Sequence, residues 1–448
     1  MRDILLLTII LGSTPICFFN PYFGVLMWSW VAYFNPHRYT WGVAYHFPVA
    51  WTVAIPTVAG ALFTRQKNRP FLLRETFLMA CLWAWFAVTF LHARQVPIFH
   101  GHILDAETQL LQVSKILLMT FFTILLVTSR ERLKYLLLVA SLSLGVRGIA
   151  GAIFGFRTEG QSRIYGPADS FLSDNNDFGL ALNMMLPLLF FLAREVEQRW
   201  LRITLWIAFF CSIISILLTY SRGGLLGLAV VLCAIAVKSR HKFVGATLVA
   251  ATALVVVSYA PEAWMARMNN FFQGSLDTSA QERLVSWGFA WNLAKAYPIT
   301  GGAFQTFPDE DVFQRYTKEA LPGGYLSTGP HSIYFQVLGE HGFVGLTLYL
   351  GLLIFCLLTL RRLRRLARGN PSLDWIVNYS HMLEAGLFGF MVSGAFLGRA
   401  YFDLYFLLVA ATVILKILYI REAALPAPER ESLTHAPVNE SMIPVGVA

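Results

Sequence analysis

LLLVASLSLGVRGIAGAIF, residues 136–154, is an unbroken apolar run with one charge, Arg147, in its second half. At 1.5 Å of rise per residue such a run is long enough to cross a hydrocarbon layer of roughly 30 Å. Comparable windows lie at Phe243–Tyr259 and Phe402–Ile420. Ten-residue segments of alternating polarity are absent, so the backbone hydrogen bonds must be satisfied within helices rather than around a barrel. The whole chain follows the same bias: 56% of its residues are hydrophobic and 14% charged, against roughly 45–50% and 25% in a soluble domain. The expected fold class is therefore all-α, a polytopic membrane protein.

The first residues, MRDILLLTIILGSTPICFF, carry an apolar core like that of a secretion signal, but a second apolar stretch follows at once and no small-residue cleavage site intervenes. They read as a retained helix. Cys17, Cys81, Cys211, Cys233 and Cys356 all fall inside apolar runs, in no spacing that suits zinc or a disulfide framework. The formal net charge of +9 is spread over short loops and reads as an orientation signal rather than a nucleic-acid surface. Eighteen Lys and Arg residues occupy the loops at 65–74, 130–134, 194–202, 238–242 and 361–368, whereas the intervening short loops and their edges hold only Arg38, Arg94, Arg157, Arg163, Arg222 and Arg399. The richer set is assigned to the cytoplasm.

Threading helices between these loops gives eleven crossings, near 48–64, 75–92, 109–128, 132–155, 177–193, 201–219, 222–237, 242–259, 331–359, 380–398 and 402–420. Residues 3–35 hold two short apolar segments broken by NPYFG. With the first methionine in the cytoplasm they supply one net crossing, for about twelve transmembrane helices with both ends inside. The chain then divides into membrane helices at 1–259, a long external loop at 260–330, further membrane helices at 331–420 and a proline-rich cytoplasmic tail at 421–448. A loop that long is usually functional. Within it, SAQERLVSWGFAWNLAKA (279–296) places Leu284, Trp287, Ala290, Trp291 and Ala294 at helical spacing, as an amphipathic helix lying on the membrane. Arg283 is expected on a different face from Trp287, and reads either as a solvated charge or as part of a site.

Chemistry is expected at the mouths of the helices. His331 follows Pro330, a residue suited to a first helical turn, so the ring should sit at the membrane boundary either as a cap or as a general base. Glu340 and His341 lie deeper, where a charge is usually partnered, and Glu340 reads as orienting rather than reacting. Arg222, in LLTYSRGGLLG, reads either as a snorkelling boundary charge or as a bidentate phosphate ligand, with Tyr220 and Ser221 as further donors. Arg147 and Arg163 flank a third external segment, and at least one of these basic groups should meet an anion. SDNND (173–177) reads as a helix cap. PDED (308–311) has a D-x-D spacing but no strand context for a metal.

Taken together, SDNNDFGLAL, YSRGGLLG, ERLVSWGFAW, ITGGAF and HSIYFQVLGEHGFVG resemble the O-antigen ligase superfamily, which includes Wzy-type polymerases and bacterial protein O-oligosaccharyltransferases. The resemblance runs from about residue 130 to 420. The N-terminal third, with MRDILLL and YFNPHRYTWG, looks most like the exosortase-associated O-glycosylation ligases. The resemblance implies a GT-C-type glycosyltransferase of the bacterial inner membrane, with no metal and no other cofactor. It would move a glycan en bloc from undecaprenyl diphosphate to lipid A-core, or to a protein Ser or Thr, in the periplasm. By motif position it implies His331 as base and Arg222 and Arg283 on the diphosphate, beside Arg163, Arg147 and Tyr220. The reading from another class is a transporter or lipid flippase, for which a broken N-terminal helix would be a mark.

Overall fold

The computed structural model describes residues 1–68, 73–167, 170, 172–238 and 278–424. The expected crossing at 242–259, the first part of the long loop and the tail from 425 onward lie outside the described residues. Among those described, every regular element is helical: α1 (Arg2–Phe19), α2 (Pro21–Phe34), α3 (Val43–His46), α4 (Val49–Phe63), α5 (Arg74–Ala93), α6 (Ile103–Leu126), α7 (Arg130–Arg157), α8 (Asn175–Ala193), α9 (Arg199–Leu218), α10 (Arg222–Lys238), α11 (Thr278–Ala296), α12 (Glu310–Tyr316), α13 (Ile333–Ala367), α14 (Asp374–Gly394) and α15 (Asp403–Ala424). Among the described residues, eight helices or helical stretches are both long and apolar enough to cross a bilayer. The chain is an all-α, multi-pass membrane protein.

The glycines of the opening stretch explain how its helices meet. Gly145, Gly148, Gly151 and Gly155 form one stripe on α7, and a Cβ built at Gly145 would lie 2.9 Å from the Cβ of Ala208, while Gly148, Gly151 and Gly155 face Ser212, Ser215 and Leu218 of α9. Both series rise together, so the two helices run parallel. Their backbones approach closely enough for the Ser215 hydroxyl to donate to the Gly148 carbonyl at 2.7 Å. Small residues at a helix interface are how membrane helices gain packing where lipid offers no hydrophobic advantage. α8 is buried along its whole length between α7, α9, α10 and α14.

The N-terminal pair departs from the expected single net crossing. Arg2, Leu6 and Ile9 of α1 line one pocket with Trp30, Phe34 and Tyr39 from the end of α2 and beyond, and the Arg2 guanidinium lies over Trp41. At the other end, the Tyr22 hydroxyl donates to the Arg132 carbonyl at 2.9 Å. Asn20 and Pro21 thus turn a hairpin in which α1 and α2 run antiparallel. Residue 2 emerges on the same face of the bundle as His331, while α15 ends on the opposite face, where Arg421 donates to the Thr128 carbonyl at 3.2 Å. The two ends of the described chain are on opposite faces, not both on one.

The long loop also differs from its expected form. Val285, Phe289 and Leu293 of α11 bury against Phe307, Phe313 and Phe99 in a small core of their own, while Leu284 and Trp291 are 50% and 46% exposed. Of the expected stripe, Ala290 and Ala294 are buried, whereas Leu284 and Trp291 give way to Val285, Phe289 and Leu293. α11 is packed into a compact cap over the helix mouths rather than laid on lipid by Leu284 and Trp291.

Candidate functional site

α13 is one element by hydrogen bonding but two by geometry. Gly342 holds φ 66° and ψ −170° in the middle of it, a region open essentially to glycine alone. The break receives the ITGGAF segment: the Phe343 N–H donates to the Pro298 carbonyl at 2.8 Å and the Gly302 N–H to the Gly339 carbonyl at 2.9 Å. Above the break the short N-terminal half of α13 is clamped to α11. Trp287 stacks on Phe335 with centroids 5.1 Å apart, and the Ser286 hydroxyl donates to the Gly329 carbonyl at 2.8 Å.

This clamp places His331. Arg283 precedes Trp287 by one helical turn, and its charge lies close enough to act on the His331 ring. Residues four apart on a helix share a face, which corrects the expected opposition of Arg283 and Trp287. His331 is not in the first helical turn either. The helix starts at Ile333, and His331 stands outside it with φ 47°, a left-handed conformation uncommon for a residue with a side chain. Its Nε2 and the Thr328 hydroxyl share a hydrogen bond of 3.1 Å. Burial holds its pKa below the ordinary 6.5, the Arg283 charge lowers it further, and Asp174 opposes both. The ring is therefore a neutral base near pH 7.

Arg222 reaches the same place from the other side. It is the first residue of α10, whose N-terminus is capped by the Ser221 hydroxyl accepting from the Gly224 N–H at 3.0 Å. Ser221 acts here as that cap. Gly223 packs on Phe396, and Gly398, two residues on, packs on Pro330 and the His331 backbone. The α14–α15 connection is thus the shared floor of Arg222 and His331. A further ion pair borders it, between Arg399 and Asp177, with Asp174 close enough to act on Arg399. The Asp174 carboxylate accepts from the Asn176 and Asp177 N–H groups at 2.8 and 3.4 Å, the cap expected of SDNND.

Tyr220 is left-handed as well, with φ 56°. Its hydroxyl donates to the Gly160 carbonyl, burial pushes its pKa up, and Arg163 acts against that rise. Tyr220 and the exposed Arg163 are therefore neighbours on the same face, held there by the Ile164 N–H donating to the Leu218 carbonyl at 3.0 Å. Arg147 is placed differently. Its guanidinium donates to the Phe34 carbonyl and lies 4.1 Å from the Tyr39 ring centre and 4.7 Å from that of Phe34. Its partners are a carbonyl and two rings, and it ties α7 to the N-terminal hairpin.

The deeper pair has structural partners. The Gln305 N–H donates to Glu340 at 3.1 Å, and the Tyr401 hydroxyl donates to the other carboxylate oxygen. The His341 ring is fully buried between Phe86 and Phe304, with Nδ1 and the Thr89 hydroxyl 2.8 Å apart. Asp309 of PDED caps α12 and meets His102 Nδ1 at 2.7 Å, while His102 Nε2 meets the Gly302 carbonyl at 2.9 Å. That bridge fastens the ITGGAF segment to the start of α6. No group of three or more metal-ligating side chains is found among the described residues.

Sequence reasoning passed over Arg399 and Asp177 as a pair. The available signal was a lone arginine in FLGRAY between two apolar helices, which needs a carboxylate when half-buried.

Residues 207–350 match the family described as O-Antigen ligase, and residues 1–197 match a family of unknown function, DUF5935. The first match holds Tyr220, Arg222, Arg283 and His331, and it also holds the break at Gly342. No curated protein matches the chain significantly.

Proposed function

We propose that the chain moves a glycan en bloc from undecaprenyl diphosphate to an acceptor hydroxyl, most simply that of lipid A-core, at the periplasmic face of the bacterial inner membrane; the match of residues 207–350 to the O-Antigen ligase family supports transfer of the ligase or polymerase type. The orientation rests on the excess of Lys and Arg in the loops of the opposite face. The observation that supports the reading is that the connection between α14 and α15 packs on Gly223, next to Arg222, and on Pro330 and the His331 backbone, while the Arg283 charge acts on His331.

In this mechanism Arg222 and Arg283 hold the diphosphate, with Arg163 and Tyr220 at the edge of the same surface. Charge develops on the leaving diphosphate as the C1–O bond breaks, and guanidinium groups fixed beforehand stabilise it. The acceptor hydroxyl attacks C1 from the opposite side, forming the new C–O bond with inversion, and its proton passes to His331. In the tautomer whose Nε2–H donates to Thr328, Nδ1 is the accepting nitrogen. Undecaprenyl diphosphate leaves as the second product. Arg147 supports the fold around this surface. A protein hydroxyl, as in the exosortase-associated branch, or a second lipid-linked glycan would be attacked in the same way.

The test is transfer in vitro from a lipid-linked glycan to purified lipid A-core. Activity that disappears in His331→Ala while lipid binding persists supports the reading. Wild-type chain that binds lipid-linked glycan and moves it across vesicles without forming a glycosidic bond would establish a flippase instead.

A further inference from the structure

A cavity of about 820 Å³ opens beside the candidate site and shares Pro330, Gly398 and Arg399 with its floor. Its size lies within the roughly 300–1,000 Å³ of ligand sites. The lining is unusual for a bundle so rich in leucine and phenylalanine. Five carboxamides reach it from four separate elements: Asn35 after α2, Gln109 and Gln112 on α6, Gln305 in the cap and Gln336 at the start of α13. One of them has a local role, since Asn35 ends α2 in a left-handed conformation with its amide donating to the Ala32 carbonyl at 2.9 Å.

Some of this polarity is used internally. The Gln336 carbonyl oxygen accepts from the Ala400 N–H at 2.9 Å, and the Gln305 amide reaches Gln109 at 3.5 Å. Other parts of it are not. Asp403 Oδ1 and Arg38 Nε are buried, line the cavity and make no hydrogen bond within the described chain. Both atoms are themselves closed to solvent, although their residues line the cavity, and a buried polar atom left without a partner costs about 1–3 kcal/mol. The carboxamide lining suits an occupant that offers donors and acceptors at several close points rather than an acyl chain. Carboxamides present both kinds of group side by side, matching adjacent hydroxyls. Trp28 and Tyr401 add flat apolar faces to the same lining.

We propose that this cavity is a saccharide subsite, seating sugar hydroxyls on Gln112, Gln305 and Asn35 with Asp403 as a further acceptor and Arg38 as a further donor. The proposal rests on the glycan-transfer reading and extends it from the diphosphate to the sugar. The saccharide is either the first unit of the transferred glycan or the terminal unit of the acceptor, since both must lie within reach of His331.

The experiment uses the purified full chain in detergent and two variants, Gln112→Ala, at an exposed position of α6, and Asp403→Asn, which keeps the side-chain shape. Binding is measured for undecaprenyl diphosphate alone and for an undecaprenyl-diphosphate-linked disaccharide, and KM is measured for lipid A-core. Affinity for the sugar-bearing lipid that falls tenfold or more, with bare lipid unchanged, identifies the donor saccharide. Unchanged donor affinity with a tenfold rise in acceptor KM identifies the acceptor saccharide. Values within twofold of wild type in both variants, or equal weakening toward bare and sugar-bearing lipid, overturn the proposal while leaving the transfer reading intact. Wild-type chain that binds neither lipid overturns both.

Discussion

The two faces of the bundle treat charge in opposite ways. On the face away from His331, each buried carboxylate is enclosed by its own cations. Glu384, 1% exposed in its side chain, meets Arg361 at 3.1 Å, Arg364 at 2.7 Å and Lys238. Glu75, fully buried, meets Lys416 at 2.7 Å and Arg74 at 3.5 Å, and accepts from the Thr359 hydroxyl. These sets tie α10, α13 and α14 together, and α5 to α13 and α15. On the His331 face, cations gather instead around a histidine and a turn, and six described residues other than glycine, Asn35, Glu159, Tyr220, Ala303, Gln305 and His331, hold left-handed backbones. Strain of about 1–3 kcal/mol per residue persists only where the surroundings impose it. The contrast separates carboxylates enclosed by several cations from a histidine and arginines set at strained turns and helix ends.

The sharpest way to break the contrast is at His331. His331→Ala should fold and retain donor binding yet lose about two to four orders of magnitude of transfer, measured at matched expression with purified donor and acceptor. His341→Ala, whose ring is enclosed by Phe86 and Phe304, should lose stability in thermal unfolding and retain much more transfer per folded molecule. Turnover of His331→Ala near that of wild type would reduce the first histidine to a packing role like the second.

On the opposite face, Glu384→Ala leaves Lys238, Arg361 and Arg364 without their shared carboxylate. A broken buried pair costs about 3–5 kcal/mol, so a clear fall in the unfolding midpoint is expected, with specific activity of the folded fraction preserved. Arg222→Ala and Arg283→Ala should show the reverse pattern: transfer reduced by about two to three orders of magnitude, unfolding little changed, and partial recovery with Lys, which lacks the bidentate fork. A chelator should leave transfer unaffected.

The smaller effects refine the chemistry. A neutral His331 is the active form, so transfer should rise with pH through an inflection below 6.5 and fall away on the acid side. Removing the Arg283 charge relieves one of the two influences that lower the pKa, so the residual activity of Arg283→Gln should inflect at higher pH. An inflection that moves down would remove the pairing from the mechanism. Thr328→Ala should cost at most about tenfold, the worth of one hydrogen bond of about 0.5–1.5 kcal/mol, read as a fall in kcat with donor affinity unchanged.

How much of this was legible in the chain depends on whether the cause is local. The apolar windows and the glycine-bearing run at 136–154 declare helices because length and hydropathy are properties of the segment itself. The cap at Asp174 and the placing of Arg222 at a helix start were readable for the same reason. The direction of α11 was not, because Leu284, Trp287 and Trp291 compete with Val285, Phe289 and Leu293, and only the phenylalanines supplied by distant segments decide which stripe is buried. Pro330 suggests a helix start, yet the helix begins at Ile333 because Gly398 packs against the proline and fixes the chain before it. The break at Gly342 is invisible without the ITGGAF segment that fills it. The hairpin of α1 and α2 escaped because Arg2 and Asp3 give the charge rule almost nothing to weigh.

That hairpin has a consequence for sidedness. Residue 2 and residue 424 emerge on opposite faces, so the chain is antisymmetric with respect to the bilayer, whichever face is outward. Two reporters joined to these positions can never be accessible together from one side of a sealed membrane. If the His331 face is the outer one, residue 2 must be carried across, and Arg2 travels with an adjacent compensating charge, Asp3, whose carboxylate also receives the Ala44 N–H at 3.4 Å. The charge of Arg2 is thus offset by its neighbour at the side where positive charge is least welcome.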